Sequence, residues 1–162
     1  MASAWPRCSS RARGATVLAV SSGPKRAGVR EAGAHEVIDR AESIPAQLQA
    51  LAPDGVDVVL DVVAGDLVAE AIPLVREGGR WVVAGALGGH EVALDVRRLY
   101  LHNIQLIGSS MHTPEHFDLL MDLARRGTIR PVIAAAFPLE RAADAQEELG
   151  QRSHVGKIVL HP

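Results

Sequence analysis

The sequence predicts an α/β protein built on a doubly wound, Rossmann-like parallel sheet. Three observations lead there. Short β-branched runs recur along the chain and are apolar throughout, as in parallel strands covered on both faces. Helical stretches with readable ends separate these runs. Their order, strand then helix then strand, is the βαβ pattern of such a sheet.

Ala15–Val20 (ATVLAV) reads as a buried strand, and the helix over Pro24–Ala32 stops at Gly33. Glu36–Asp39 (EVID) is a shorter strand, and the helix over Glu42–Ala52 ends before Pro53. Val56–Val63 (VDVVLDVV) is the strongest strand signal. Asp66–Arg76 begins with an acid in its first turn and stops at Gly78–Gly79. Arg80–Gly85 and Asn103–Gly108 follow as strands. Thr113 is placed as an N-cap with Pro114 at the first helical position, and Gly127 closes that helix. Its stripe of Phe117, Leu120, Met121 and Ala124 recurs at helical spacing. Arg130–Pro131 turns into an extended segment, Leu139–Leu149 is a helix closed by Gly150, and Lys157–Leu160 is a final strand.

The 162 residues suit one compact domain, and 48% hydrophobic content is enough to bury a core. Aromatics are only 3%, which leaves no stacking platform for single-stranded nucleic acid. Charge is uneven along the chain. Residues 1–30 carry Lys25 and five arginines with no acid, whereas the rest carries 11 basic and 19 acidic side chains. Such an acidic body argues against duplex binding. Cys8 is the single cysteine, so no internal disulfide or Cys-rich zinc site can form, and a reducing, cytoplasmic compartment is expected. No apolar run reaches the length needed to span a bilayer.

The stretches RARGATVLAVSS, REAGAHEVIDR, GVDVVLDVVAG, REGGRWVVAGALGG, NIQLIGSSM, GTIRPVI, FPLERAADAQEEL and GKIVL occur in that order. In sequence and spacing they resemble the C-terminal half of the medium-chain dehydrogenase/reductase superfamily. The likeness is greatest to its quinone oxidoreductase and zinc-type alcohol dehydrogenase branches. It implies an NAD(P)-dependent oxidoreductase moving hydride between nicotinamide and a quinone, enone or carbonyl/alcohol substrate. It also implies a Rossmann domain over 14–130 and a segment over 131–162 that packs in relatives on an upstream catalytic domain.

The opening departs from the family. RARGATV corresponds to the end of the first Rossmann helix, before which a strand and a Gly-rich turn should stand. MASAWPRCSS stands there instead, with no glycine before Gly14. Residues 1–13 therefore read either as a transit-type leader, Arg- and Ser-rich and free of acid, or as a replaced upstream sequence. A truncated, inactive form of a longer enzyme is expected. The zinc ligands of zinc-dependent relatives come from sequence not seen here, so zinc has no support in this chain.

The strand ending at Val20 should meet the adenosine ribose. Ser21, Ser22, Lys25 and Arg26 follow it where an acid would select NAD(H), and two hydroxyls with two cations suit a phosphate dianion. Arg40, after the next strand, can join them. The alternative is an ordinary solvated basic turn. Val63 and Gly65, and Gly85, Ala86 and Leu87, should lie at the carboxyl edge of the sheet, where small residues let a ligand approach backbone. The resemblance adds Ser109, Ser110 and Met111 on the nicotinamide side. His112 and His116 flank Pro114 with no nearby Cys and make no metal motif. Asp61 is read as structural or near the cofactor. The Asn103–Gly108 edge strand is expected to pair two copies into a homodimer. A non-catalytic nucleotide-binding or dimerisation module is the alternative function, and a methyltransferase is a more distant one.

Overall fold

The computed structural model describes residues 14–110 and 112–162; Met111 and the opening 1–13 segment lie outside the described residues. Seven strands and six α-helices alternate along the described chain. They are β1 (Leu18–Ser21), α1 (Arg26–Glu31), β2 (Glu36–Asp39), α2 (Ile44–Leu51), β3 (Val56–Asp61), α3 (Asp66–Ala71) and β4 (Val75–Val83). After these come α4 (Arg97–Leu101), β5 (Gln105–Gly108), α5 (Pro114–Arg125), β6 (Ile133–Pro138), α6 (Ala142–Gln151) and β7 (Lys157–His161).

Every strand pairing is parallel, as the continuous apolar runs predict. The order is β1-β2, then β3-β4-β5, then β6-β7, in three separate sheets.

The described residues form two compact units, one of residues 14–41 with 113–162 and one of residues 42–112. In the second, β3, β4 and β5 pack on α3 through Ala64, Val68, Ala71, Ile72, Val75, Trp81 and Ile104, all buried. This is the aliphatic core the composition predicts, with Trp81 as its one aromatic anchor. In the first unit Val37, Ile38, Ile129 and Ala145 are buried. Gly28 of α1 lies against Val155, and a Cβ there would sit 3.1 Å from the Val155 Cγ2. A larger residue at Gly28 would require Val155 to shift by a few tenths of an ångström.

Several boundaries differ from the sequence expectation, each for a local reason. The first strand runs over Leu18–Ser21 rather than Ala15–Val20, and a 3₁₀ turn over Gly23–Lys25 precedes α1. Pro24 fixes the φ of that turn's central residue but gives no N–H to a longer helix. The helix expected over Asp66–Arg76 stops at Ala71 because Pro73 forces a 3₁₀ turn, and β4 then begins at Val75. β3 ends at Asp61, not Val63, because the Asp61 side chain caps the turn that follows. The last helix runs past Gly150 to Gln151, and Arg152 ends it in the left-handed region at φ 53°. The short helix α4 carries no strong periodicity in the sequence.

α5 begins where the sequence places it. The Thr113 Oγ1 accepts from the His116 N–H at 3.4 Å, and the His116 ring receives the Thr113 N–H at 3.5 Å. His116 therefore closes a capping box, a structural role.

Candidate functional site

In the first unit, Ser21 ends β1 opposite Asp39, which ends β2. Ser21 is 3% exposed, and its Oγ is buried with no hydrogen-bond partner among the described residues. A buried hydroxyl left in that state is costly. The Ser21 carbonyl accepts from the Arg40 N–H at 2.9 Å, and the Ser22 carbonyl accepts from the Lys25 N–H at 3.0 Å. Ser21, Ser22, Lys25 and Arg40 are thus brought together by two parallel strands and one turn. Arg26 opens α1 and is exposed.

Partial burial, and then the Arg40 and Arg152 cations, hold the Lys25 ammonium below the ordinary lysine range. Three cations therefore share this corner. Arg152 was not legible as part of it, because the end of α6 reaches the turn only through tertiary packing. Asp39 was also missed. A Cβ on Gly23 would lie 2.8 Å from the Asp39 Oδ2, so the acid sits hard against the turn. Its Oδ1 accepts from the Ala41 N–H at 3.0 Å. The parallel register carries Asp39 to this place; only the position of both residues at strand ends hints at it.

In the second unit, the turns after β3 and β4 interlock. The Gly88 N–H donates to the Val63 carbonyl at 2.6 Å, and the Gly65 N–H donates to the Gly89 carbonyl at 3.2 Å. Ala64 and Gly89 form a parallel bridge. Gly65 has φ 68°, and a Cβ on it would lie 2.7 Å from the Gly88 oxygen. A Cβ on Gly85 would lie 2.8 Å from the Val62 oxygen. Only glycine fits at either place. Ser109 joins the group by donating its N–H to the Val83 carbonyl at 2.8 Å. Val63, Gly65, Gly85 and Ser109 are therefore brought together at the carboxyl ends of β3, β4 and β5, with Ala86, Leu87 and Ser110 exposed beside them. Met111 lies outside the described residues.

Comparisons with known proteins identify the family. The zinc-binding dehydrogenase family model matches residues 9–126, well over half of the chain. The chain belongs to the zinc-binding dehydrogenase family. It covers the C-terminal half of medium-chain dehydrogenase/reductase relatives. Quinone oxidoreductase of Mus musculus is 32% identical over 93% of this chain and 48% of its own length. A cobalt- and zinc-bound alcohol dehydrogenase of Pyrobaculum aerophilum is 33% identical, with a TM-score of 0.73 over 90% of this chain and 42% of that one. A mycobacterial protein solved in complex with NADPH is 25% identical, with a TM-score of 0.77 over 96% of this chain and 52% of that one. The chain spans about half the length of the curated relatives it matches.

The metal in the family's description has no ligand set here: among the described residues no group of three His, Cys, Asp or Glu could hold an ion. No helix among them is long and apolar enough to cross a membrane.

Proposed function

We propose that this chain is the NADP(H)-binding portion of a dehydrogenase/reductase that moves hydride between nicotinamide and a quinone, enone or carbonyl/alcohol substrate. The observation that carries this reading is the corner of Lys25, Arg40 and Arg152 beside the unpartnered Ser21 hydroxyl. A ribose 2′-phosphate would neutralise cations that otherwise repel one another, and both serine hydroxyls can donate to its oxygens. Arg26, exposed at the start of α1, adds a further cation to the approach.

The interlocked turns of the second unit suit the nicotinamide end. Val63, Gly65, Gly85, Ala86 and Leu87 offer backbone at this edge, and Ser109 and Ser110 lie beside them; Met111, which follows in sequence, belongs to the same proposal. A bound nicotinamide supplies the hydride; these residues hold its ring in one orientation and so supply positioning. No step is assigned to zinc.

The NADP(H) reading is supported further by the relative solved with NADPH. A reducing, cytoplasmic setting suits the single cysteine. The homodimer through β5 belongs to the same proposal, because β5 is the outer strand of its sheet and exposes Leu106 and Ile107.

Calorimetric titration with NADPH and NADH tests the reading. Tighter NADPH binding, with the preference lost in Lys25→Ala/Arg26→Ala, is the expected result. Equal or tighter NADH binding would overturn it.

A further inference from the structure

Asp61 is one of two buried polar or charged residues named in the described core, at 6% exposure, and no ion pair accounts for it. Its carboxylate is instead enclosed by donors. Oδ1 accepts the Val63 N–H at 2.8 Å and the Ala64 N–H at 3.0 Å, and Oδ2 accepts the Trp81 Nε1–H at 3.1 Å. The two amides belong to the turn that carries Val63 and Gly65, and the indole belongs to the buried core of the second unit. Ala64 holds φ 54°, a left-handed conformation that a residue with a Cβ adopts only under constraint.

We propose that Asp61 is the positioning residue of the cofactor-facing turns: it fixes the Val63–Gly65 turn to the Trp81 core and thereby sets cofactor affinity. The second half of this statement rests on the NADP(H) reading; the first does not. All three partners are N–H donors, so the group between them must be an acceptor on both oxygens. A carboxylate meets that demand, and an amide does not. The choice of acid at the end of this apolar strand follows from the donors, and its burial is offset by three charge-assisted hydrogen bonds. The fixed turn then passes its geometry on, because Val63 and Gly65 are hydrogen-bonded to Gly88 and Gly89. One carboxylate thus orders both turns, although Asp61 itself need not touch a ligand.

The test uses the full chain and three variants: Asp61→Asn, Trp81→Phe and the double variant. In Asp61→Asn the amide oxygen can serve Val63 and Ala64 only by turning its NH2 toward the Trp81 N–H. Hydrogen exchange at the Val63 and Ala64 amides is expected to rise at least about tenfold, and NADPH to bind about tenfold more weakly. Exchange at β7 amides, in the other unit, should be unchanged and reports folding. Trp81→Phe keeps the Asp61 Oδ1 as acceptor for both backbone N–H groups and should leave the two amides protected. Adding it to Asp61→Asn removes the opposed donor and should restore protection and affinity together. That rescue also decides the case if Asp61→Asn alone fails to fold.

Wild-type exchange at Val63 and Ala64 in Asp61→Asn would overturn the proposal. So would raised exchange with unchanged NADPH affinity, or a double variant no better than the single. If the unaltered chain binds no NADPH, the NADP(H) reading fails, and the exchange arm alone still decides whether Asp61 fixes the turn.

Discussion

Ser21 and Asp39 face each other across the parallel pair β1 and β2, a buried hydroxyl beside a carboxylate at the same end of the sheet. The Asp39 carboxylate presses on Gly23 in the turn that carries Lys25, so one acid lies next to the corner where three cations gather. It limits the net positive charge there and opposes a dianionic ligand. Asp39→Asn should therefore raise the ratio of NADPH to NADH affinity by about three- to tenfold, measured by calorimetry. Gly23→Ala should instead lower affinity for both nucleotides by driving a methyl against Asp39.

Lys25 gives a second expectation. Its proton is held less tightly in the folded chain than in the unfolded one, so its charge costs stability wherever it is protonated; the cost disappears as pH rises above the ordinary lysine range. Lys25→Met should leave the unliganded chain equally stable or slightly more so, by about 0.5 kcal/mol at most. The same change should weaken NADPH binding and flatten its dependence on salt. Thermal melts with and without NADPH check both parts; a clear loss of unliganded stability would contradict them.

The start of α5 offers a local test. The Thr113 hydroxyl caps the helix and its hydrogen bond holds the Glu115 carboxyl below the usual range. That stabilising contribution is present above the ordinary glutamate value of 4.5 and is lost as pH falls through the lowered one. Thr113→Ala should cost about 1 kcal/mol at neutral pH and return the Glu115 titration, followed by NMR, toward its ordinary value.

Asp95 is held by Arg97 through contacts of 2.9, 3.2 and 2.7 Å, which lower its carboxyl to about 2. An NMR titration should place its midpoint there and return it toward 3.8 in Arg97→Ala. The turn into α4 should accordingly persist in acid until pH falls from about 4 toward about 2.

Exposed Leu106 and Ile107 on β5 predict the association state. Light scattering at micromolar concentration should report a dimer, and Leu106→Lys a monomer. A monodisperse monomer of the unaltered chain would contradict the proposed pairing.

Much of the fold was legible because it rests on local signals. The run VDVVLD announces a parallel strand, although Val58 and Leu60 on it are exposed rather than covered, and Thr113–Pro114 announces a helix start. Boundaries failed where one residue overrode a pattern, as Pro73 did in cutting α3 short of Arg76. Of the site, the basic turn and the small residues after β3 and β4 were visible as composition at strand ends. Arg152 and Asp39 were not, because each arrives through tertiary contact or register rather than spacing. Asp61 had a signal that was not used: an Asp ending an apolar strand accepts from the amides two and three residues on, as Asx turns do.

The central claim is that the corner of Ser21, Ser22, Lys25, Arg40 and Arg152 receives a ribose 2′-phosphate. Titration of the chain with 2′,5′-ADP and 5′-AMP tests it most directly, because the two nucleotides differ only in that phosphate. The account predicts that 2′,5′-ADP binds at least about tenfold more tightly, and that Lys25→Ala/Arg40→Ala/Arg152→Ala removes the difference. Equal binding of the two, or a preference that survives loss of all three cations, would contradict it.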